Sequence, residues 1–348
     1  MGNTSETRTF DQILSTTYDY YRPVLVDVIH KGNAFYYKLY ERGREYQDGG
    51  ASLIFPLLYG KNQTIGSYED DEEIDVTVQE GITVAKMPWC QVAGSISFTR
   101  KQRRMNSGKA QIINLIQAKI RQAEMSMTDA FNTYLMGTGK YSESVTSKDP
   151  CGLQAIVPES PSSYNLGGIT VSSNTWWRNK VLGNSGTTFT WIDTDSAMAT
   201  GPVAMRKIYM AASKGVGGSP DFIFAGMYGY LMYESYMGTK MIYRDPRMAE
   251  MGFDNIKFRG ATMFWDEDVA SASVSKDTAQ SSGTVMYFLN TEFMHLKVDS
   301  QTDFIRTEFQ RPVNQDSEAA LILWMGNLCT SNRSKHGILV DANVTAIL

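Results

Sequence analysis

The sequence of 348 residues lacks the features that mark secreted proteins, membrane-spanning proteins and disulfide-rich domains. Its three cysteines, Cys90, Cys151 and Cys329, lie far apart and form no C-x-x-C pair, which favours reduced thiols in a cytosol. No run of about 18 apolar residues is present, so no membrane span is predicted. The polar N-terminus is followed by no apolar segment, so no signal peptide is predicted either.

Motifs of catalysis and metal binding are equally scarce. The histidines His30, His295 and His336 form no H-E-x-x-H or i,i+4 pair, which favours ordinary structural histidines over zinc ligands. The segment 137–140, G-T-G-K, lacks the full phosphate-loop spacing and follows a predicted helix instead of preceding one. No G-x-S-x-G elbow occurs. We therefore predict no catalytic residue, no cofactor and no metal site, and hence no enzyme.

The bulk composition is that of an ordinary folded protein. Hydrophobic residues make up 42% and charged residues 20% of the chain, and its length allows two or three domains. The formal net charge is -4, which argues against a protein whose main task is gripping nucleic acid. Local basic patches that line a DNA-filled space remain compatible with this charge.

Residues 109 to 136 carry the clearest helical pattern. Apolar side chains recur about every four residues, which predicts a helix with one buried face. Asn106 or Ser107 can cap its start, and Gly137 ends it. At 1.5 Å per residue the helix spans about 42 Å, long for a globular protein. The predicted buried face consists of Ile112, Ile116, Ile120, Ala123, Met127, Phe131 and Leu135.

Residues 51 to 105 carry the signals of extended strands in a long hairpin. Ile74, Val76 and Val78 alternate with polar residues, a period of two that predicts a half-exposed strand. A hairpin with so little hydrophobic mass is only marginally stable alone. The preceding residues 1 to 50 contain two short helical stretches, too few to bury a core. Both regions are therefore expected to lie against another surface.

Two clusters of charge lie in this hairpin. The acidic run consists of Glu69, Asp70, Asp71, Glu72, Glu73 and Asp75, and the basic cluster consists of Arg100, Lys101, Arg103 and Arg104. The acidic run fits a solvated face, an intersubunit contact or a cation site. The cation interpretation is weakest because the calcium-loop pattern D-x-[DN]-x-[DN]-G is absent. An intersubunit contact would pair the acidic run with basic residues of a neighbouring copy. These would be the basic cluster or, alternatively, Lys31, Arg42 and Arg44.

The rest of the chain mixes loops, helices and strands. Residues 140 to 200 are rich in Ser, Thr, Asn, Gly and Pro and are predicted to be loops with short strands. A helix at 202–214, a buried strand at 222–224 and a helix at 227–237 form the next unit. Further strands are predicted at 256–264, 285–289, 304–305 and 319–325. The predicted fold class is therefore α+β.

This order of parts resembles that of the major capsid proteins of tailed double-stranded DNA phages, which have the Hong Kong 97-type fold. The resemblance covers most of the chain, and the shared order of moderately specific stretches carries it. The stretches are 67–81, 111–139 (from Q-I-I-N-L-I-Q-A-K-I to M-G-T-G), 152–180 (G-L-Q-A-I-V-P-E-S-P, then L-G-G-I and N-T-W-W-R-N) and 253–268 (with G-A-T-M-F-W-D-E-D).

The resemblance implies a subunit made of named parts. These are an N-arm (1–50), an E-loop (51–105), a peripheral or P domain (106–199 and 291–348, with a spine helix at 109–136) and an axial or A domain (200–290). It implies self-assembly into hexamers and pentamers of an icosahedral head that encloses packaged double-stranded DNA. The DNA would be contacted non-specifically on the inner face, and a portal would be a further partner. The location implied is the virion, after assembly in the bacterial cytoplasm.

Two details separate this chain from some members of that family. Many relatives carry a scaffolding segment before the arm, whereas here the arm begins near Met1, so a separate scaffolding protein, or none, is expected. Some relatives join an E-loop lysine covalently to a neighbour's asparagine with help from a glutamate. Lys61, Asn314 and Glu318 are residues of those types here, but the sequence does not place them together. We therefore expect no covalent cross-linking between subunits.

Two other hypotheses stay open from the sequence. An encapsulin-like nanocompartment subunit would share the fold and enclose cargo enzymes instead of DNA. A soluble enzyme or binding module with an unfamiliar site belongs to a different class. Genes for a portal and a terminase beside this one would favour the phage. Size-exclusion chromatography would separate a shell protein from an enzyme that runs as a small oligomer.

Overall fold

The computed structural model of this chain describes most of the predicted elements. Two predicted features lie outside the described residues. They are the first of the two helical stretches within residues 1 to 50, near residues 10 to 30, and the first residues of the predicted long helix. The described residues are 35–36, 38–39, 44–105, 115–183, 187–191, 198–215, 217–237, 256–281, 283–311 and 315–341.

The described elements are strands and helices that follow one another in mixed order along the chain. The strands are β1 (Arg44–Tyr46), β2 (Leu53–Leu58), β3 (Ile82–Met87), β4 (Cys90–Thr99), β5 (Lys180–Leu182), β6 (Phe222–Ala225), β7 (Ile256–Phe258), β8 (Ala261–Trp265), β9 (Thr284–Leu289), β10 (Met294–Val298), β11 (Ile305–Arg306), β12 (Ser317–Thr330) and β13 (Gly337–Asp341). The α-helices are α1 (Arg100–Met105), α2 (Leu115–Met136), α3 (Leu153–Ile156), α4 (Thr200–Ala212), α5 (Met227–Met237) and α6 (Lys276–Ser281).

The first sheet is organised around the long strand β12. One half of β12 pairs antiparallel with β4, from Ser317 opposite Thr99 to Gly326 opposite Cys90. Its other half pairs antiparallel with β10, whose second edge takes β1 in parallel. The short β11 also pairs with β12. The C-terminal strands β10 and β12 and the strand β4, which follows the hairpin, therefore lie in one sheet.

The second sheet has the order β5-β13-β9-β6-β8-β7, and its central strands β13, β9 and β6 are buried on both faces. Every residue of β9 is buried, as the continuous apolar sequence TVMYFL requires. Alternate residues of β9 enter different parts of the core: Tyr287 joins the core shared with α2, while Met286 and Phe288 pack with residues of α4 and α5. This sheet therefore separates a helical layer from the rest of the chain.

The buried face predicted for the long helix is confirmed over its described part. Met127, Phe131 and Leu135 are buried, and Ile120 and Ala123 are partly buried against the same core. The Phe131 ring meets the Trp324 ring of β12 edge-on, with ring centroids 4.5 Å apart. The helix therefore packs directly on the first sheet.

Two details of the predicted hairpin differ from the structure. Residues 74 to 78 form no strand, although Ile74, Val76 and Val78 alternate with polar residues. A strand needs a neighbour for its backbone, and among the described residues none pairs with this segment. The hairpin itself is a two-stranded sheet of β2 and β3, whereas β4 leaves it to join the first sheet. The alternation does not correspond to a strand within this subunit, because the apolar and the polar side chains of this segment are all exposed.

Candidate assembly interface

The base of the hairpin is fixed to the body of the subunit. The Tyr59 ring stacks on the Trp176 ring with centroids 5.1 Å apart and planes 14° from parallel. The Trp89 indole N–H donates a hydrogen bond to the Gly50 carbonyl at 2.9 Å. Gly167 approaches β3 so closely that an added Cβ would lie 2.9 Å from the Ala85 Cβ. These contacts hold β2 and β3 in place.

The two segments of the hairpin approach each other closely at Gly60 and Gly81, just beyond this base. The N–H groups of Tyr59 and Gly60 both donate to the Gly81 carbonyl, at 2.9 Å and 3.3 Å. A Cβ on Gly60 would lie 2.9 Å from the Gly81 Cα, a clash that no side chain can relieve. Glycine at position 60 is therefore required for this close approach. We call the segment beyond it, residues 61–80, the hairpin tip.

The hairpin tip exposes large apolar side chains to solvent. Val78 is 92% exposed, Val76 88%, Ile65 82% and Tyr68 67%. Full burial of one such side chain is worth about 1.5 to 3 kcal/mol, so their exposure leaves this stabilisation unused in the single subunit. Large apolar side chains left exposed within one short segment are a feature of protein–protein contact sites when a partner covers them.

The acidic run lies on the same tip, and all of its side chains are exposed. Hydrogen bonds from the Thr77 hydroxyl and the Thr77 backbone N–H lower the pKa of Asp75. The Glu69 N–H donates to the Glu72 carboxylate at 3.3 Å, and the Glu72 N–H donates to the Glu69 carbonyl at 3.0 Å, which closes a local turn. The run is therefore a negatively charged surface beside the apolar side chains.

The basic cluster lies on α1, at the end of β4. Thr99 and Gln102 cap the start of this helix with reciprocal side chain-to-backbone hydrogen bonds of 3.2 and 3.3 Å. The Arg103 guanidinium contacts both carboxylate oxygens of Glu318 at 3.1 Å. Arg100 and Lys101 are exposed. The helix therefore presents positive charge at the edge of the first sheet.

The structure does not bring the two charge clusters together within the subunit. Among the described residues, no ion pair joins the acidic run to α1, and Arg103 pairs with Glu318 instead. Nor does any group of three or more histidine, cysteine or acidic side chains in the described ranges have the geometry to hold a metal ion. Among the described helices, none is long and apolar enough to cross a membrane.

Neither the models of known families nor the curated proteins match this sequence. Solved structures do match its fold over nearly the full chain. The capsid of cyanophage A-1(L) aligns with a TM-score of 0.61 at 14% identity, covering 96% of this chain and 99% of that one. The capsid of Myoviridae phage XM1 aligns with a TM-score of 0.57 at 13% identity, covering 93% and 96%. The SrpI encapsulin of Synechococcus elongatus PCC 7942 aligns with a TM-score of 0.56 at 9% identity, covering 93% and 94%.

This chain has the fold of phage capsid and encapsulin proteins. The mixed helix and sheet architecture predicted from the sequence is confirmed at this level. The sequence identities are low, so the likeness concerns the arrangement of the backbone. Features specific to this capsid-type chain must therefore be argued from its own side chains.

The residues considered for a covalent cross-link are spread over the chain. Lys61 is exposed on the hairpin tip, directly after Gly60. Glu318 lies on β12 and is engaged by Arg103. Asn314 lies outside the described residues. Within the subunit, Lys61 and Glu318 belong to separate parts of the fold, and the absence of cross-linking stays a prediction.

A buried arginine is a key residue that the sequence did not reveal. Arg333 is fully buried, and its guanidinium donates to the carbonyls of Ile156, Tyr164, Ala155 and Ser163 at 2.7 to 3.3 Å. Burial lowers its pKa to about 10. The segment S-N-R-S-K looks like any polar turn, because the carbonyls that Arg333 binds lie almost 170 or more residues earlier in the sequence.

Two histidines have different surroundings. His336 is fully buried, and burial lowers its pKa to about 3, so it is neutral and accepts the Asn290 N–H at 3.3 Å. His295 lies on β10, with its side chain 20% exposed. The third histidine, His30, lies outside the described residues.

Proposed function

We propose that this chain is the major capsid protein of a tailed phage, a subunit that self-assembles into an icosahedral shell around packaged double-stranded DNA. The proposal assigns it the Hong Kong 97-type fold and no catalytic role in assembly. The likeness of the fold to solved phage capsids supports it, because that likeness extends over nearly the whole chain. The observation that carries it is the hairpin tip.

The hairpin tip supports self-assembly because its base is rigid while its apolar side chains are uncovered. Stacking of Tyr59 on Trp176 anchors the base, so the tip projects in a defined direction. Val76 and Val78 are almost fully exposed at its end. Such a surface does not stabilise a protein that remains a monomer. A neighbouring copy that covers it gains the unused apolar burial.

We assign the parts of the subunit as an N-arm (1–50), an E-loop (51–105), a P domain (106–199 and 291–348) and an A domain (200–290). The sheet around β12 and the helix α2 would form the P domain, and β6 to β9 with α4 and α5 would form most of the A domain. The second sheet also includes β5 and β13, which come from outside 200–290. The boundary would therefore pass through a sheet and not through a linker.

We propose that the acidic run contacts the basic cluster of a neighbouring subunit. The two clusters carry opposite charge, lie on separate exposed surfaces and do not pair with each other inside the described chain. Each exposed ion pair contributes only about 0 to 1 kcal/mol. A closed shell repeats the contact in every subunit, so the summed effect on assembly is large and sensitive to salt.

The proposed partners follow from this role. Copies of the chain would form the hexamers and pentamers, a separate scaffolding protein would guide them, and a portal would occupy one vertex. DNA would be contacted non-specifically on the inner face. The protein would be assembled in the host cytoplasm and would remain in the virion.

An encapsulin-like shell is the second candidate, since the SrpI encapsulin has the same fold with a similar TM-score. The two candidates differ in their contents. Particles made in cells that express the neighbouring phage genes would contain DNA in the first case and a protein cargo in the second. Nuclease treatment followed by extraction of nucleic acid and protein from purified particles separates them.

The test of the proposal is assembly of the purified chain, alone and with the candidate scaffolding protein. Size-exclusion chromatography and negative-stain electron microscopy should reveal shells, tubes or capsomers. A variant with Val76→Ser and Val78→Ser should fold normally but assemble poorly. A matched control, Thr77→Ser, should assemble like the wild type. A clean monomer under all conditions, with scaffold supplied, would contradict the proposal.

A further inference from the structure

Three polar side chains form a hydrogen-bonded relay across β1, β10 and the end of β12. The Glu45 carboxylate lies 2.7 Å from the His295 Nδ1, and the His295 Nε2 lies 3.1 Å from the Ser331 hydroxyl oxygen. With the proton on Nδ1 directed at Glu45, Nε2 has a lone pair that accepts the Ser331 O–H. A carboxylate, an imidazole and a hydroxyl in this order are the parts of an activated serine nucleophile.

The fold fixes the imidazole of this relay from two sides. The Phe55 ring of β2 stacks on it, with centroids 5.6 Å apart and planes 29° from parallel. Parallel pairing of β1 with β10 places Glu45 beside His295, with Glu45 opposite Lys297 in the register. The Lys297 ammonium lies 3.7 Å from the second carboxylate oxygen of Glu45. The ring therefore has a defined orientation toward Ser331.

The relay is also reachable from solvent. The His295 side chain is 20% exposed and the Glu45 side chain 48%. Ser331 is half-buried at the end of β12, where its N–H donates to the Phe293 carbonyl and holds the backbone in place. A hydroxyl in this position can meet a small reagent without unfolding of the chain. A relay that served packing alone would have no need of this access.

We propose that Ser331 is an activated nucleophile that attacks small activated carboxylic esters, with His295 as the general base and Glu45 as the residue that positions it. In the first step the Ser331 oxygen bonds to the ester carbonyl carbon, and its proton moves to the His295 Nε2. His295 then returns this proton to the leaving alcohol oxygen as the bond between carbon and that oxygen breaks. Water, deprotonated by the same imidazole, hydrolyses the acyl-serine to a carboxylic acid and free Ser331.

No sequence motif marks this site, because its three residues lie far apart, at positions 45, 295 and 331. The chemistry is independent of shell formation. It would be a property of the folded subunit, so failure of assembly and failure of this proposal are separate outcomes.

A fluorophosphonate probe tests the proposal on the purified full-length chain. Ser331 would displace fluoride from the probe, and peptide mass spectrometry locates the label. Half-buried Ser334 is the matched control, since its hydroxyl donates to the Asn332 side chain at 2.8 Å and is not in the histidine relay. Labelling should be found at Ser331 and not at Ser334.

Substitutions then separate the roles of the relay residues. Ser331→Ala should abolish the label, His295→Gln should slow it about a hundredfold and Glu45→Gln about tenfold, while Ser334→Ala should leave the rate unchanged. Hydrolysis of p-nitrophenyl acetate should follow the same order. If His295→Gln does not fold, the location of the wild-type label, at Ser331 or at Ser334, decides alone. Labelling of Ser331 no faster than Ser334, or unaffected by His295→Gln, would overturn the proposal and leave the relay as a structural tie for β1.

Discussion

Large apolar and aromatic residues have different roles in the hairpin tip and in the layer between α2 and β12. Phe131 and Trp324 are buried and in contact with each other, so their burial stabilises the single subunit. On the tip, Tyr68 and Val78 are mostly exposed, so they contribute little to the subunit's own stability. Folding and assembly are thus carried by separate parts of the same chain. Substitutions should affect one process or the other.

The largest expected effect is on folding, from Arg333→Met. The substitution removes the donors that four carbonyls share, of which those of Ala155 and Ile156 lie on buried residues, and each unsatisfied buried group costs about 1 to 3 kcal/mol. With some relaxation of the loop, we expect the free energy of unfolding to fall by about 5 kcal/mol. Urea denaturation followed by circular dichroism measures it. Arg121→Met, at an exposed position of α2, is the control and should change stability little. Similar losses for both variants would contradict the role of Arg333.

Phe131→Ala should be the next most damaging change. Removal of a fully buried aromatic side chain costs about 3 to 5 kcal/mol, from lost burial and the remaining cavity. The matched change on the tip, Tyr68→Ala, should alter the free energy of unfolding by less than about 0.5 kcal/mol. The same denaturation experiment compares them. Equal effects would show that the tip is part of the subunit's own core.

Buried Cys90 gives the folded body a dependence of stability on alkaline pH. Burial raises the pKa of Cys90 to about 11 from an ordinary value of 9.0. The thiolate is disfavoured in the folded state, so stability is complete below pH 9 and falls as pH rises toward 11. Between pH 8 and 10.5, wild type should lose about 2 kcal/mol more than Cys90→Ala. Parallel pH dependences for the two proteins would show that Cys90 is accessible to solvent in the folded state.

The smallest effect on folding is expected from neutralising the acidic run. Replacement of Asp70, Asp71, Glu72 and Glu73 by Asn or Gln should change the free energy of unfolding by less than about 0.5 kcal/mol, because these side chains are exposed. Shell yield should fall, and its dependence on salt should weaken. Light scattering across salt concentrations measures the yield. Unchanged yield at every salt concentration would return the run to a solvated face.

The same comparison explains which features could be predicted from the sequence. The α2 helix and the β9 strand have local patterns that match their final environments, since one face of α2 and both faces of β9 are buried within the subunit. The residues 74 to 78 have an equally regular pattern but no strand. Their pattern is local, whereas pairing depends on a partner that the described part of the subunit does not supply.

The residues that sequence patterns missed depend on contacts between distant parts of the chain. Arg333 binds carbonyls on the segment 155–164, and His295 is bridged to Glu45, 250 positions earlier. Neither contact leaves a periodic signal, because a single side chain carries it. The charge clusters were visible as composition, but Arg103 took Glu318 as its partner because β12 and β4 are paired neighbours.

Hydroxyl-radical footprinting of free subunits and assembled particles tests most directly whether the tip is an assembly surface. Tyr68 is a reactive reporter on the tip, and buried Tyr287 is the internal control. Labelling of Tyr68 should be strong in the free subunit and fall severalfold in the particle, while Tyr287 stays weakly labelled in both. Equal labelling of Tyr68 in both states would mean that no neighbour covers the tip, which would contradict the proposed role of the hairpin in building a shell.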